Sequence, residues 1–101
     1  MKINFKQANS KNYKQGRSKQ PEYIVIHYTA NQGDTAKNNA DYFSREKVGA
    51  SAHYFCDENE IWQSVKDTDT AWHCGAKTYR HPECRNANSI GVEICMNDKK
   101  G

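Results

Sequence analysis

The sequence predicts an α/β domain built on a mixed β-sheet with flanking helices, and three observations predict it. Tyr23–Tyr28 is a run of β-favouring residues with apolar side chains on both faces, the pattern of a central strand covered on both sides. Ser89–Met96 alternates instead, with Ile90, Val92, Ile94 and Met96 on one side and Gly91, Glu93 and Cys95 on the other. Between them Ala36, Ala40 and Phe43 recur at the spacing of one helical face. Strand, helix, hairpin and strand in that order indicate a mixed sheet.

Taken along the chain, residues 1–21 hold Lys2, Lys6, Lys11, Lys14, Arg17 and Lys19 and no acid, a charge of +6 against −3 for the remainder. They read as a basic arm with one short strand, closed by Pro21, ahead of a domain at 22–101. Such an arm is either a solvated segment or an attractor of an anionic polymer. The aromatic spacing of an RNA-binding sheet is missing, so no nucleic-acid partner is expected. After the Tyr23–Tyr28 strand, Asn31-Gln32-Gly33 makes a turn and Asp34 or Thr35 caps a helix that fades near Arg45–Gly49. Ala52–Cys56 and Ile61–Val65 form a hairpin around the polar loop Asp57-Glu58-Asn59-Glu60. Ala71–Asn88 is a long irregular segment holding two His, two Cys, a Pro and a Trp, and loops of that length usually carry function.

A chain of 101 residues is one domain at most. With 36% hydrophobic residues and a mean hydropathy of −1.08, its core is small and confined to a few strands, so a metal, a partner chain or further sequence would help hold it. It has no apolar run of transmembrane length. The cysteines, Cys56, Cys74, Cys84 and Cys95, include no Cys-x-x-Cys pair. They are read as free thiols, with a Cys74–Cys84 disulfide as the alternative.

The chemistry-bearing candidates fall in four segments. His27 stands at the end of its strand, the usual position of functional groups in open α/β sheets. It is either a metal ligand or a histidine satisfied by a neighbouring loop. Glu93 lies mid-strand among apolar neighbours, where a carboxylate is costly to bury unpaired and its pKa rises. That is the profile of a general base, or of one half of a cross-strand ion pair. His53 in Ser51-Ala52-His53-Tyr54-Phe55 and the pair Trp72-His73 are candidates for either a groove or the core. A separate structural metal site drawn from His73, Cys74, His81 and Cys84 has spacings unlike those of standard fingers.

Read together, the His27 strand, the His53 segment, Ala71-Trp72-His73-Cys74-Gly75 and Ser89-Ile90-Gly91-Val92-Glu93-Ile94 resemble the zinc-dependent N-acetylmuramoyl-L-alanine amidases, the group of phage endolysins and peptidoglycan recognition proteins. The resemblance covers roughly residues 20–98. It implies an amidase-type fold and hydrolysis of the amide between N-acetylmuramic acid and the L-alanine of the peptidoglycan stem peptide. It implies Zn2+ as cofactor, His27 as its first ligand and Glu93 as the base that activates water. It also implies a groove lined by His53, Trp72, His73, Asn86 and Asn88. Where another branch carries a Tyr on the second strand, this chain has Ala52, which favours the Glu-type assignment. Cys74 replaces the Ala of the family's Trp-His-Ala-Gly loop.

The family's remaining ligands, a His and a Cys or Asp, fall beyond Gly101. The expectation is therefore a domain shortened at its C-terminus, weak in zinc binding and in hydrolysis, with exposed apolar surface and self-association. The start lacks signal-peptide features, which predicts a protein held in the cytoplasm until released to the cell wall. Two alternatives to the enzyme are a peptidoglycan-binding module without hydrolysis and a small domain stabilised through Cys74 and Cys84.

Overall fold

A computed structural model describes residues 2–32, 34–74 and 84–96. The strands are β1 (Ile3–Phe5), β2 (Tyr13–Lys14), β3 (Tyr23–Gln32), β4 (Tyr54–Cys56), β5 (Ile61–Gln63), β6 (Thr70–Ala71) and β7 (Ser89–Met96); the helix α1 is Ala36–Arg45, and Asn86–Asn88 form a 3-10 turn. Five strands make the main sheet in the order β1-β5-β4-β7-β3, and β2 pairs with β6 in a small second sheet. The β4–β5 hairpin is antiparallel, while β1–β5, β4–β7 and β7–β3 are parallel, which makes the sheet mixed as the element order required.

Register explains what each face carries. Residues paired across neighbouring strands point to the same side of a sheet. One row runs His27–Glu93–Phe55–Trp62–Asn4. The adjacent rows, Ile26–Val92–Tyr54–Gln63–Phe5 and Tyr28–Ile94–Cys56–Ile61–Ile3, point to the opposite side. Helix α1 covers the first side: Ala36 and Ala40, both fully buried, pack with Ala52, Phe55 and Cys95, and Phe43 and Trp62 close the edge of this core. Phe43 and Phe55 stack with ring centroids 5.3 Å apart. Small residues on the helix let its axis approach the sheet.

Both ends of α1 are tied down. Thr35 is the N-cap, its Oγ1 accepting from Asn38 N–H at 3.0 Å. Asp57 in the hairpin adds a second cap, accepting from Ala36 N–H at 2.8 Å through Oδ2 and from Asn59 and Glu60 N–H through Oδ1. Burial works against the Asp57 carboxylate, but these three donors hold its pKa below the usual range. The C-terminal end is held by the fully buried Asn12. Its Nδ2 donates to the Phe43 and Glu46 carbonyls, and its Oδ1 accepts from Val48 and Gly49 N–H.

Two expectations change here. β3 is longer than Tyr23–Tyr28 and, among the described residues, pairs on one side only. Its apolar residues are on both faces, yet Ile24 is 71% and Tyr28 69% exposed, because no described element covers that face. The residues read as a basic arm are built into the fold. β1 joins the main sheet, Ala8 packs with Val65, Ala71 and Tyr13 in a second small core, and Arg17 ties four carbonyls together. It donates to Asp67, Asp69, Ala87 and Ser89 at 3.0–3.1 Å.

Candidate active site

The His27–Glu93 register lies on the helix-covered face, and Glu93, but not His27, lines a cleft of about 460 Å³ there. Phe43, Ser51, Trp72, His73, Asn86 and Glu93 are among its lining residues. The parallel pairing of β3 and β7 sets His27 beside Glu93, and β4 places Phe55 on the other side of Glu93. Glu93 is thus half-buried between an imidazole and a core phenyl ring. Burial pushes its carboxyl pKa up; His27 opposes this and Asp34 adds to it. Asp34 accepts from Asn39 Nδ2 through Oδ1, and its Oδ2 is buried without a partner among the described residues.

His73 reaches the site from the irregular segment after β6. Its Nδ1 is 3.1 Å from His27 Nε2 and its Nε2 is 3.0 Å from Ser89 Oγ. The ring lies over Gly91, where a Cβ would come within 2.5 Å of His73 Cγ. Glycine is therefore needed at 91 for space. Asn86 fixes the backbone here, its Oδ1 accepting from the N–H groups of His73 and Cys74. Burial, with a smaller push from His27, lowers the His73 pKa to about 4, so its ring is neutral at neutral pH. Cys74 Sγ is 3.4 Å from His73 Nδ1, and burial raises its thiol pKa.

Two residues expected in the groove stand behind its wall. His53 is 0% exposed. Gly91 N–H donates to its Nδ1 at 3.1 Å, so Nε2 carries the proton and donates to the Asp69 carbonyl at 3.0 Å. Burial, helped by Arg17, lowers its pKa. Asn88 is buried in the 3-10 turn, its Oδ1 accepting from Arg85 N–H. Trp72 and His73 do line the cleft, with Asn86. Nothing local in the sequence marks Ser89 or Arg17 as a site-building residue. Ser89 is a strand-initial serine, and Arg17 acts on carbonyls 50 or more residues away, so neither leaves a local signal.

As a metal centre the described residues are incomplete. A catalytic zinc needs three protein ligands and an open position. His27 has suitable donor chemistry, but among the described residues no three His, Cys, Asp or Glu side chains are grouped to hold an ion. Of the rival set, His81 lies outside the described residues, and Cys74 and Cys84, like Cys56 and Cys95, are free thiols.

Residues 17–101 match the family model described as N-acetylmuramoyl-L-alanine amidase. Similar curated proteins include the amidase CwlA of Bacillus subtilis, 36% identical over 80 residues, covering 79% of this chain and 28% of that protein. XlyB of the same organism is 39% identical over 80 residues, covering 79% and 24%. Among solved structures, a mutant endolysin from Bacillus subtilis superposes with a TM-score of 0.79 at 31% identity, over 100% of this chain and 64% of that one. The catalytic domain of XlyA gives 0.77 at 28% identity, over 100% and 65%. The chain thus spans about a quarter of these curated relatives' length and just under two thirds of the solved chains. With the His27–Glu93 register placed in a mixed sheet of the same architecture, the chain belongs to the N-acetylmuramoyl-L-alanine amidase family.

Proposed function

We propose that this chain contributes to hydrolysis of the amide joining N-acetylmuramic acid to the L-alanine of the peptidoglycan stem peptide, with Glu93 as general base. The observation that supports this most is the His27–Glu93 pairing on adjacent parallel strands, with Glu93 lining the cleft. A carboxylate whose pKa is raised by burial is a stronger base than an ordinary one. In that role it takes a proton from the attacking water and returns it to the departing amine. Trp72, His73 and Asn86 line the cleft in which the sugar and stem peptide would lie. His53 and Asn88, behind the wall, hold the backbone of Gly91 and Arg85.

His27 is the residue proposed to hold zinc. Among the described residues it is one ligand, where a catalytic zinc takes three and would lower the pKa of its bound water. Peptidoglycan is the proposed partner and the cell wall the proposed site of action. Among the described residues no helix is long and apolar enough to cross a membrane. The face bearing Ile24, Ile26 and Tyr28 supports self-association of the chain.

The test is a muropeptide cleavage assay that reads the released L-alanine amine, with zinc content measured on the same sample. Glu93→Gln should lower cleavage by about a hundred- to ten-thousand-fold, whatever the starting rate, and leave muropeptide binding in place. Cleavage unchanged in Glu93→Gln would overturn the assignment. Muropeptide binding with no cleavage at any zinc concentration would replace it with a binding module.

A further inference from the structure

We propose that Ser89 and His73 form a directed hydrogen-bond chain that orients the His27 ring, fixing its proton on Nε2 and leaving Nδ1 as its open lone pair. The direction is set at the far end. Ser89 is fully buried, and its Oγ lies 2.7 Å from the Arg85 carbonyl oxygen. A carbonyl has no proton to give, so the serine hydroxyl donates its single proton there. Ser89 Oγ therefore meets His73 Nε2, 3.0 Å away, as an acceptor, and the proton of that contact belongs to His73.

A neutral imidazole protonated at Nε2 presents a lone pair at Nδ1. That lone pair faces His27 Nε2 at 3.1 Å. Two lone pairs at this separation repel, so the contact is N–H donation from His27 Nε2 to His73 Nδ1. Neutral His27, with its one proton on Nε2, then has a lone pair at Nδ1, and no described residue makes a hydrogen bond to that atom. The order is thus His27 to His73 to Ser89 to the Arg85 carbonyl, each link donating to the next. Ring orientation is fixed independently by Gly91, which alone leaves room for His73, and by Asn86, which holds the His73 backbone.

The consequence rests on the function proposed above only for its use. A histidine that serves as ligand generally donates its second ring N–H to a protein acceptor, which selects the tautomer and holds the ring. Here the acceptor is another histidine, itself directed by a serine. Ser89 and His73 are positioning residues in this scheme. Among the described residues the competitor is the Cys74 thiol, 3.4 Å from His73 Nδ1 and 3.9 Å from both His73 Nε2 and Ser89 Oγ, a weaker and more distant partner than those in the chain.

The test reads tautomers directly, by long-range 1H–15N NMR of the labelled chain at pH 8 with chelator present and no substrate. Wild type should show His73 and His27 each as a single form protonated at Nε2. Ser89→Ala should turn both into mixtures, and Ser89→Thr, which keeps the hydroxyl, should restore the single forms. Cys74→Ala should change neither ring. A wild-type His27 protonated at Nδ1 overturns the proposal and needs no variant to fold. So does a single His27 form that survives Ser89→Ala, or one that is lost in Cys74→Ala. Because turnover is not read, failure here leaves the Glu93 assignment standing, and failure of cleavage leaves the hydrogen-bond chain standing.

Discussion

The two faces of the main sheet are built from the same strands and differ in almost everything else. On one face the row His27–Glu93–Phe55–Trp62–Asn4 passes from candidate chemistry into core, and α1 seals the core half. On the other, Ile24, Ile26, Tyr28, Ile3 and Phe5 are exposed, although apolar residues there outnumber those on the sealed side. The site lies where packing holds ionisable groups at partial burial, because a cleft edged by core perturbs a carboxylate and a histidine without hiding them. The open face has hydrophobicity, and no described element lies over it.

The largest effect that would sharpen this contrast comes from Gly91, which lies under the His73 ring. Gly91→Ala sets a Cβ within 2.5–2.8 Å of three His73 ring atoms. The ring must leave, breaking its links to His27 and Ser89. Cleavage should fall at least tenfold with little change in the circular dichroism of the sheet. Full activity in Gly91→Ala would show that His73 placement does not matter to the site.

Asn12 comes next and probes how the sealing helix is held. Asn12→Ala removes four hydrogen bonds at the buried end of α1 and orphans the groups that made them. A loss of about 3 kcal/mol is expected, measured as the shift in urea midpoint at constant slope. A loss under about 1 kcal/mol would mean that water replaces Asn12 without difficulty. Asp57, at the opposite end of the helix, should cost less, about 1–2 kcal/mol on replacement by Ala. Its effect carries a pH signature. A carboxyl whose folded pKa is depressed stabilises the fold above the pH where the unfolded chain titrates, and that stability is lost as pH falls through the folded value. Wild type and Asp57→Ala should therefore converge in stability on acidification; a constant gap from neutral pH to pH 3 would contradict the capping role.

How much of this was legible depends on how local each cause is. β7 and α1 follow from periodicity, and the hairpin from its polar loop, since those signals lie within the elements themselves. The position of β3 does not follow. Apolar residues on both faces of Tyr23–Tyr28 mark a strand, but whether an element covers the second face is decided elsewhere in the chain. Asn12 and Arg17 were invisible for a related reason: one reads as a polar residue and the other as one more arm cation, until partners 31 to 72 residues away are in place. Within the site, alternation placed Glu93 with Gly91 correctly. His53 precedes β4, and its ring turns back to the Gly91 N–H, which strand alternation alone does not anticipate. The close approach of His73 to His27 depends on a glycine's missing Cβ, a feature of three dimensions.

The smallest effect on stability bears on the open face. Ile24 and Ile26 are 71% and 51% exposed, so the double change Ile24→Ser with Ile26→Ser removes little burial from the isolated chain. Its stability should move by less than about 1 kcal/mol. If the exposed row drives self-association, the same change should lower the weight-average mass seen by light scattering across a concentration series. An undiminished mass would place the association elsewhere. A stability loss of several kcal/mol would show that in solution these residues are covered within one chain. The pair of readouts thus separates a face left open from a face covered by its own chain or by a second copy.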